Sequence, residues 1–204
     1  MLKIIDINKS FNNNPVLKNI SFDFSSHKIN VIIAANGSGK TTLLKILSTL
    51  IKPDSGQIFF KNNLISQSDI FEFRKKLRIT FSNNSFYPEL TINQNLYFFC
   101  SLNNIKTRFS IEKIKQIMNV LFFEEKLLEY KPSQLSSGQI QKYKLIIGFY
   151  NNPEIILLDE PFIYLDEETL NNFIIFIKNY NGLIILSVNN PVIMSKISDN
   201  ILKL

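Results

Sequence analysis

The stretch "ANGSGKTT", Ala35 to Thr42, follows an apolar run read as a strand over Ile29–Ala34. It opens a segment that reads as a helix from about Gly39 to Leu50. A loop at such a junction with the spacing G-x-x-x-x-G-K-[ST] wraps phosphate groups in backbone N–H donors. Lys40 then supplies a charge for β- and γ-phosphates, and Thr41 supplies a hydroxyl for magnesium. Gly37 and Gly39 let the backbone close on its ligand. The helix start adds the positive end of its dipole. Asn36, Ser38 and Thr42 complete the candidate nucleotide-binding set. Ala34 stands where the pattern has its first glycine, but the rest of the motif is intact. The alternative, a chance glycine-rich turn, does not account for the strand on one side and the helix on the other.

Two further apolar runs extend this reading. "EIILLDE" (154–160) and "GLIILSV" (182–188) are continuous rather than alternating, as strands buried on both faces of a parallel sheet are. Ligands of such sheets bind beyond the carboxyl ends of the strands. The first run ends in Asp159, placed to hold magnesium through water, and Glu160, placed to polarise an attacking water. An apolar strand often ends in acids simply for solvation; with the phosphate loop in the same chain, the pair points to nucleotide hydrolysis. The second run ends in Asn189 and Asn190.

The remaining elements fit an α/β core. Strands are read at Leu2–Ile7, Ile20–Phe24, "QIFF" (57–60) and "LRITF" (77–81), with a helix over 69–78. Thr91 caps a helix through Ser101, another starts at Ser110, and a third runs from Ser136 to about Phe149. Asp166 caps "EETLNNFIIFIKNY", and Gly56 and Gly182 read as turns. Helices cluster between 90 and 150, which predicts a helical insertion. Of 204 residues 45% are hydrophobic, enough for a packed core, and the apolar runs are too short to span a bilayer. The amino-terminal "MLKIIDINKS" lacks the features of a signal peptide. Cys100 is the one cysteine, so no internal disulfide is expected. The net charge of +6 comes from scattered lysines, with arginine only at Arg74, Arg78 and Arg108. That pattern argues against a nucleic-acid reader, which leans on arginine; it suits a solvated surface, with attraction to anionic membrane as the second choice.

"LSSGQ" (135–139) separates the remaining classes. Ser136, Ser137, Gly138 and Gln139 open a helix and so form a second candidate anion site, although a serine N-cap alone would explain the pentapeptide. With the phosphate loop and the "IILLDE" strand, the chain resembles, over its whole length, the ATP-binding subunits of ABC transporters. "KSFNNNPVLKNISF", "EPFIYLD" and "SFYPELTINQNLYFF" extend the likeness.

The resemblance implies a P-loop NTPase core with a mostly parallel sheet, an amino-terminal antiparallel β region and an inserted helical subdomain. A single domain over 1–204 is expected, with its core at about 1–82 and 151–204 and its helical part at about 83–150. It implies ATP and Mg2+ as ligands, Phe11 stacking on adenine, and Glu160 with Asn189 at the catalytic centre. Asp166 falls in the loop after the carboxylate strand. Two cassettes pair head to tail in this family, each ATP lying between one phosphate loop and the partner's signature, Ser136 to Gln139. A homodimer or a paired second cassette is therefore expected, with transmembrane subunits docked near 82–105. Phe86, Tyr87, Tyr97, Phe98 and Phe99 are candidates for that groove or for the subdomain core. The place expected is peripheral, on the cytoplasmic or organelle-matrix face of a membrane.

The chain departs from the family pattern twice. Where a glutamine that helps hold the metal is usual, an ungapped match gives Ser82 and a one-residue slip gives Asn83. Where a switch histidine is usual, Asn189 stands; the only histidine, His27, reads as a surface turn. Slow hydrolysis is the expected consequence. The short stretch after Asn189 leaves no room for the regulatory domain of many sugar importers. Compactness, "EPF" and the opening residues resemble the ATPase subunit of the haem exporter of cytochrome c maturation; "YPELT" resembles drug-type exporters. A scaffold ATPase such as that of iron–sulfur assembly is the rival outside transport.

Overall fold

Asparagines set the first turn. In the computed structural model, which describes residues 1–26, 28–81, 86–102 and 107–204, β1 (Leu2–Phe11) and β2 (Asn14–Phe24) form an antiparallel hairpin. Its two linking residues, Asn12 and Asn13, have φ of 49° and 64°. Asparagine tolerates the left-handed backbone that two-residue hairpin turns require. β4 (Ser55–Phe60) pairs with β1 and β5 (Asn63–Leu64) with β4, giving a four-stranded sheet in the order β2-β1-β4-β5. Gly56 is therefore part of a strand, not the simple turn expected.

The second sheet has five strands in the order β6-β7-β8-β3-β9, that is Leu77–Thr80, Ile155–Asp159, Leu183–Val188, Ile29–Ile33 and Asn200–Lys203. From β7 through β8 and β3 to β9 the strands pair in parallel, and β7 and β8 are buried at every residue. The continuous apolar runs thus lie inside a parallel sheet, as read. Helix α1 (Lys40–Leu47) packs against β7 and buries Leu43, Leu44, Ile46 and Leu47. With Leu2, Ile4 and Ile7 of β1, Ile155 and Leu157 of β7, and Leu183 and Ile185 of β8, they share one core. Burying each such side chain stabilises by about 1.5–3 kcal/mol before entropy is counted.

Helix α1 stops at Leu47, three residues short of the expected end. Thr49 takes φ 60° there, and Arg74 of α2 (Ile70–Lys75) donates to its carbonyl at 2.6 Å and to its hydroxyl at 2.9 Å. A tertiary clamp ends the helix where propensity would continue it.

The chain divides into two compact units. Residues 1–79, 154–160 and 180–204 form the first, which carries nearly all of both sheets together with α1, α2 and α7 (Pro191–Ile197). Residues 80–153 and 161–179 form the second. It holds α3 (Ile92–Leu102), α4 (Thr107–Val120), α5 (Ser137–Phe149) and α6 (Glu167–Lys178). Helix α4 begins three residues ahead of Ser110. Phe149, Phe173 and Phe176 cross edge to face between α5 and α6, with centroids 5.1 and 5.8 Å from Phe149. Among the described residues no helix is long and apolar enough to cross a membrane.

Candidate functional site

The carboxyl ends of β3, β7 and β8 meet the start of α1 within the first unit. Gly39 precedes α1 with φ +99°, and a Cβ there would sit 2.8 Å from Val16 Cγ1. The hairpin strand β2 therefore abuts the loop, and only glycine fits without strain. The same hairpin carries Phe11, exposed at the end of β1. Lys9 Nζ lies 5.4 Å from its ring centre.

Lys40 is 5% exposed. Its Nζ donates to the carbonyls of Ala34 and Ala35, both at 2.9 Å, and lies 3.7 Å from Glu160 Oε1. Thr41 Oγ1 donates to Asp159 Oδ2 at 2.8 Å. The loop and the carboxylate strand are thus joined through the residues read from the sequence, with Lys40 facing Glu160 and Thr41 facing Asp159. Glu160 itself has φ +50°, a left-handed backbone that a glutamate adopts only under constraint. Ser38 Oγ is buried without a hydrogen-bond partner, an unmet group in a loop of backbone donors. Such a hydroxyl suits a phosphate oxygen. Hydroxyl and carboxylate oxygens from Thr41 and Asp159 also suit Mg2+, which takes one or two carboxylates and completes its shell with substrate oxygens and water. Among the described residues no group of three or more His, Cys, Asp or Glu offers an all-protein metal cage.

One participant escaped the sequence reading. Ser187, fully buried in β8, donates to Asp159 Oδ1 at 2.8 Å and accepts from the Glu160 N–H at 2.9 Å. A lone hydroxyl inside "LIILSV" was the available signal, because a buried hydroxyl needs a partner.

Asn189 is exposed, directly after β8, and its side chain has no hydrogen bond among the described residues. The turn-capping work belongs to its neighbour. Asn190 Oδ1 accepts from Val192 N–H at 2.8 Å and starts α7. Ser82, Asn83 and His27 lie outside the described residues, so the metal-holding place expected for Ser82 or Asn83 and the surface turn expected for His27 are not described.

In the second unit, Ser136 caps α5. Its Oγ accepts from Gln139 N–H at 3.2 Å, while Gln139 Oε1 accepts from Ser136 N–H at 2.9 Å. This is a reciprocal capping box, and Ser136 and Ser137 remain exposed. A Cβ on Gly138 would meet the Tyr164 carbonyl oxygen at 2.9 Å, so close backbone approach gives that glycine a local reason too. The aromatic set divides. Tyr87 and Tyr97 are about half exposed, while Phe86 leans on buried Tyr143 with centroids 5.9 Å apart. Phe98 contacts both Tyr87 and Phe99.

Asp166 caps α6 by accepting from the Thr169 N–H and hydroxyl, both at 2.8 Å. Those two bonds, with Lys142 Nζ at 3.2 Å, hold its carboxyl down at about 2, against an ordinary 3.8. A depressed carboxylate stabilises the fold above its unfolded value, and that contribution is lost as pH falls through about 2. Asp166 is well exposed, so solvent screening keeps the charge term small. Asp166→Ala is expected to cost about 1 kcal/mol, read as a Tm drop of roughly 2–4 °C. Asp166→Asn is expected to flatten the acid limb of stability against pH.

Comparisons with known proteins give the family. The family model described as "ABC transporter" matches residues 17–163. The lipoprotein-releasing system ATP-binding protein LolD of Buchnera aphidicola is 31% identical over 209 aligned positions, covering 97% of this chain and 91% of that protein. The Fe(3+) ions import ATP-binding protein FbpC of Haemophilus influenzae is 36% identical over 171 residues and 82% of this chain, which spans about half of it, 48%. Among solved structures, the dimer of the ATP-binding cassette MJ0796 bound to ADP and Pi superposes with a TM-score of 0.87 at 23% identity, covering 100% of this chain and 94% of that one.

Proposed function

The chain belongs to the ABC transporter family, as an ATP-binding subunit, and from that premise we propose that it hydrolyses ATP to drive a membrane transporter. The observation that carries the reading is the junction of Lys40 with Glu160 and of Thr41 with Asp159 at one end of the parallel sheet.

In this proposal the backbone donors of residues 36–42 wrap the phosphates, Lys40 neutralises the outer two, and Ser38 and Thr42 flank them. Phe11 offers its exposed ring to adenine. Thr41 and Asp159 would hold Mg2+, which would supply positive charge to offset the negative charge developing on the phosphates; Ser82 is the third candidate. Glu160 accepts a proton from the attacking water, and Asn189 contacts the terminal phosphate. Ser136, Ser137, Gly138 and Gln139 face the nucleotide of a second cassette, with Asp166 at the same junction. The 84–99 segment, with Tyr87 and Tyr97 exposed, meets transmembrane subunits, and the assembly sits peripherally on the cytoplasmic or matrix face.

For the cargo, "EPF" and the opening residues favour haem export for cytochrome c maturation. The LolD relative, matched along nearly the whole chain, favours release of a lipid-linked protein instead. Both are export readings. Co-purification tests the transporter reading. A tagged chain is expected to sediment with membranes and bring down a multi-span protein, and alterations within 84–99 should release it. A native chain that stays soluble and alone while hydrolysing ATP would favour the scaffold rival.

Asn189 sets the expected rate. Asparagine cannot carry the charge of a histidine but retains one amide donor. Losing a preorganised donor costs about 10²–10³ in rate, and the retained amide reduces that loss. Slow hydrolysis is expected, rising in Asn189→His and falling further in Asn189→Ala. Equal steady-state rates in all three proteins would remove this residue from the site.

A further inference from the structure

Two apolar rows end side by side in polar residues. On β7 the row Ile155, Leu157 ends in Asp159, and on β8 the row Leu183, Ile185 ends in Ser187. Alternate residues of a strand share a face, and the parallel register sets Asp159 directly opposite Ser187. Both are almost wholly buried, at 3% and 0% exposure. The Ser187 hydroxyl uses both its functions there, donating to Asp159 Oδ1 and accepting from the Glu160 N–H. Asp159 Oδ2 takes the Thr41 hydroxyl. The carboxylate is held at each oxygen by a different element, β8 on one side and α1 on the other.

We propose that Ser187 is a positioning residue for this site, fixing the metal-holding oxygen of Asp159 and the peptide of Glu160 through one hydroxyl; the proposal rests on the ATPase reading above. Glu160 needs that support. Its left-handed backbone starts at the N–H that Ser187 binds, so the hydroxyl fixes where the peptide leaves the strand and where the Glu160 side chain begins. Lys40 lies near the far end of that same side chain. Ser187 touches neither nucleotide nor water in this account. It acts by keeping two acids in register, as outer-shell partners of metal ligands do.

The test uses a fluorescent ATP analogue, titrated with and without Mg2+, on the native chain, Ser187→Ala and Ser187→Thr. The alanine side chain is smaller and is accommodated at a fully buried position. Loss of an outer-shell partner typically costs about 10–100-fold in metal affinity or activity. Ser187→Ala is expected to raise the Mg2+ concentration for half-maximal binding by that factor and to lower kcat similarly. Metal-free nucleotide binding should stay at the native level. Threonine keeps the hydroxyl and should restore both. A native Mg2+ midpoint in Ser187→Ala overturns the proposal. So does an equal fall in metal-free and metal-dependent binding, which marks a general packing defect, and so does a folded threonine variant as impaired as alanine. A native chain with no affinity for the nucleotide under any condition fails differently, because it removes the ATPase reading and this inference with it.

Discussion

Glu160→Gln is expected to lower steady-state ATP hydrolysis about 10²–10⁴-fold, the usual contribution of a positioned proton acceptor. ATP binding should stay near the native level. The glutamine keeps the size and planarity of the acid but cannot take up a proton at neutral pH. The Glu160 backbone is held independently of its side chain, by Ser187, so the substitution leaves the turn in place. It also dissolves the ion pair with buried Lys40, whose two carbonyl acceptors remain. A melting temperature close to native would separate the chemical effect from a structural one. An ATPase rate within a few-fold of native would move the proton acceptor elsewhere.

Lys40→Ala should act on binding itself. A charged hydrogen bond contributes about 1.5–3 kcal/mol, so losing it should weaken ATP about 10- to 150-fold at 1.4 kcal/mol per decade. The side chain is 5% exposed and its ammonium sits between the Ala34 and Ala35 carbonyls and Glu160. Its removal therefore leaves Glu160 a carboxylate without its near cation, which adds repulsion toward phosphate. Equilibrium dialysis with labelled ATP checks this, with circular dichroism to confirm the fold. Unchanged affinity would contradict the phosphate-loop reading.

The parts of the site that are local in sequence were legible. The strand, loop and helix around Lys40 follow from eight residues, and the caps at Thr91, Ser136 and Asp166 follow from side chains three residues from their partners. The buried strands were readable because a parallel sheet covers both faces. What escaped was non-local. The end of α1 depends on Arg74, 25 residues away. The link from Ser187 to Asp159 spans 28 residues and needs the register of β7 against β8. β9 joins the sheet beside β3, where Asn200 donates to Asn30 at 3.0 Å across 170 residues. Helix α7 was different, since Asn190 followed by Pro191 is a local start signal.

The paired cassette is the centre of the proposal, in which the phosphate loop of one chain and the Ser136 signature of another share one nucleotide. The most direct measurement is the solution mass of Glu160→Gln by light scattering, with and without saturating ATP and Mg2+. Blocked hydrolysis should hold the pair together, so the mass should rise from that of one 23.7 kDa chain to twice that value. Ser136→Arg in the same background should return it to one chain while ATP stays bound, because the added side chain crowds the partner's phosphate. A protein that binds ATP and remains a single chain throughout would contradict the account.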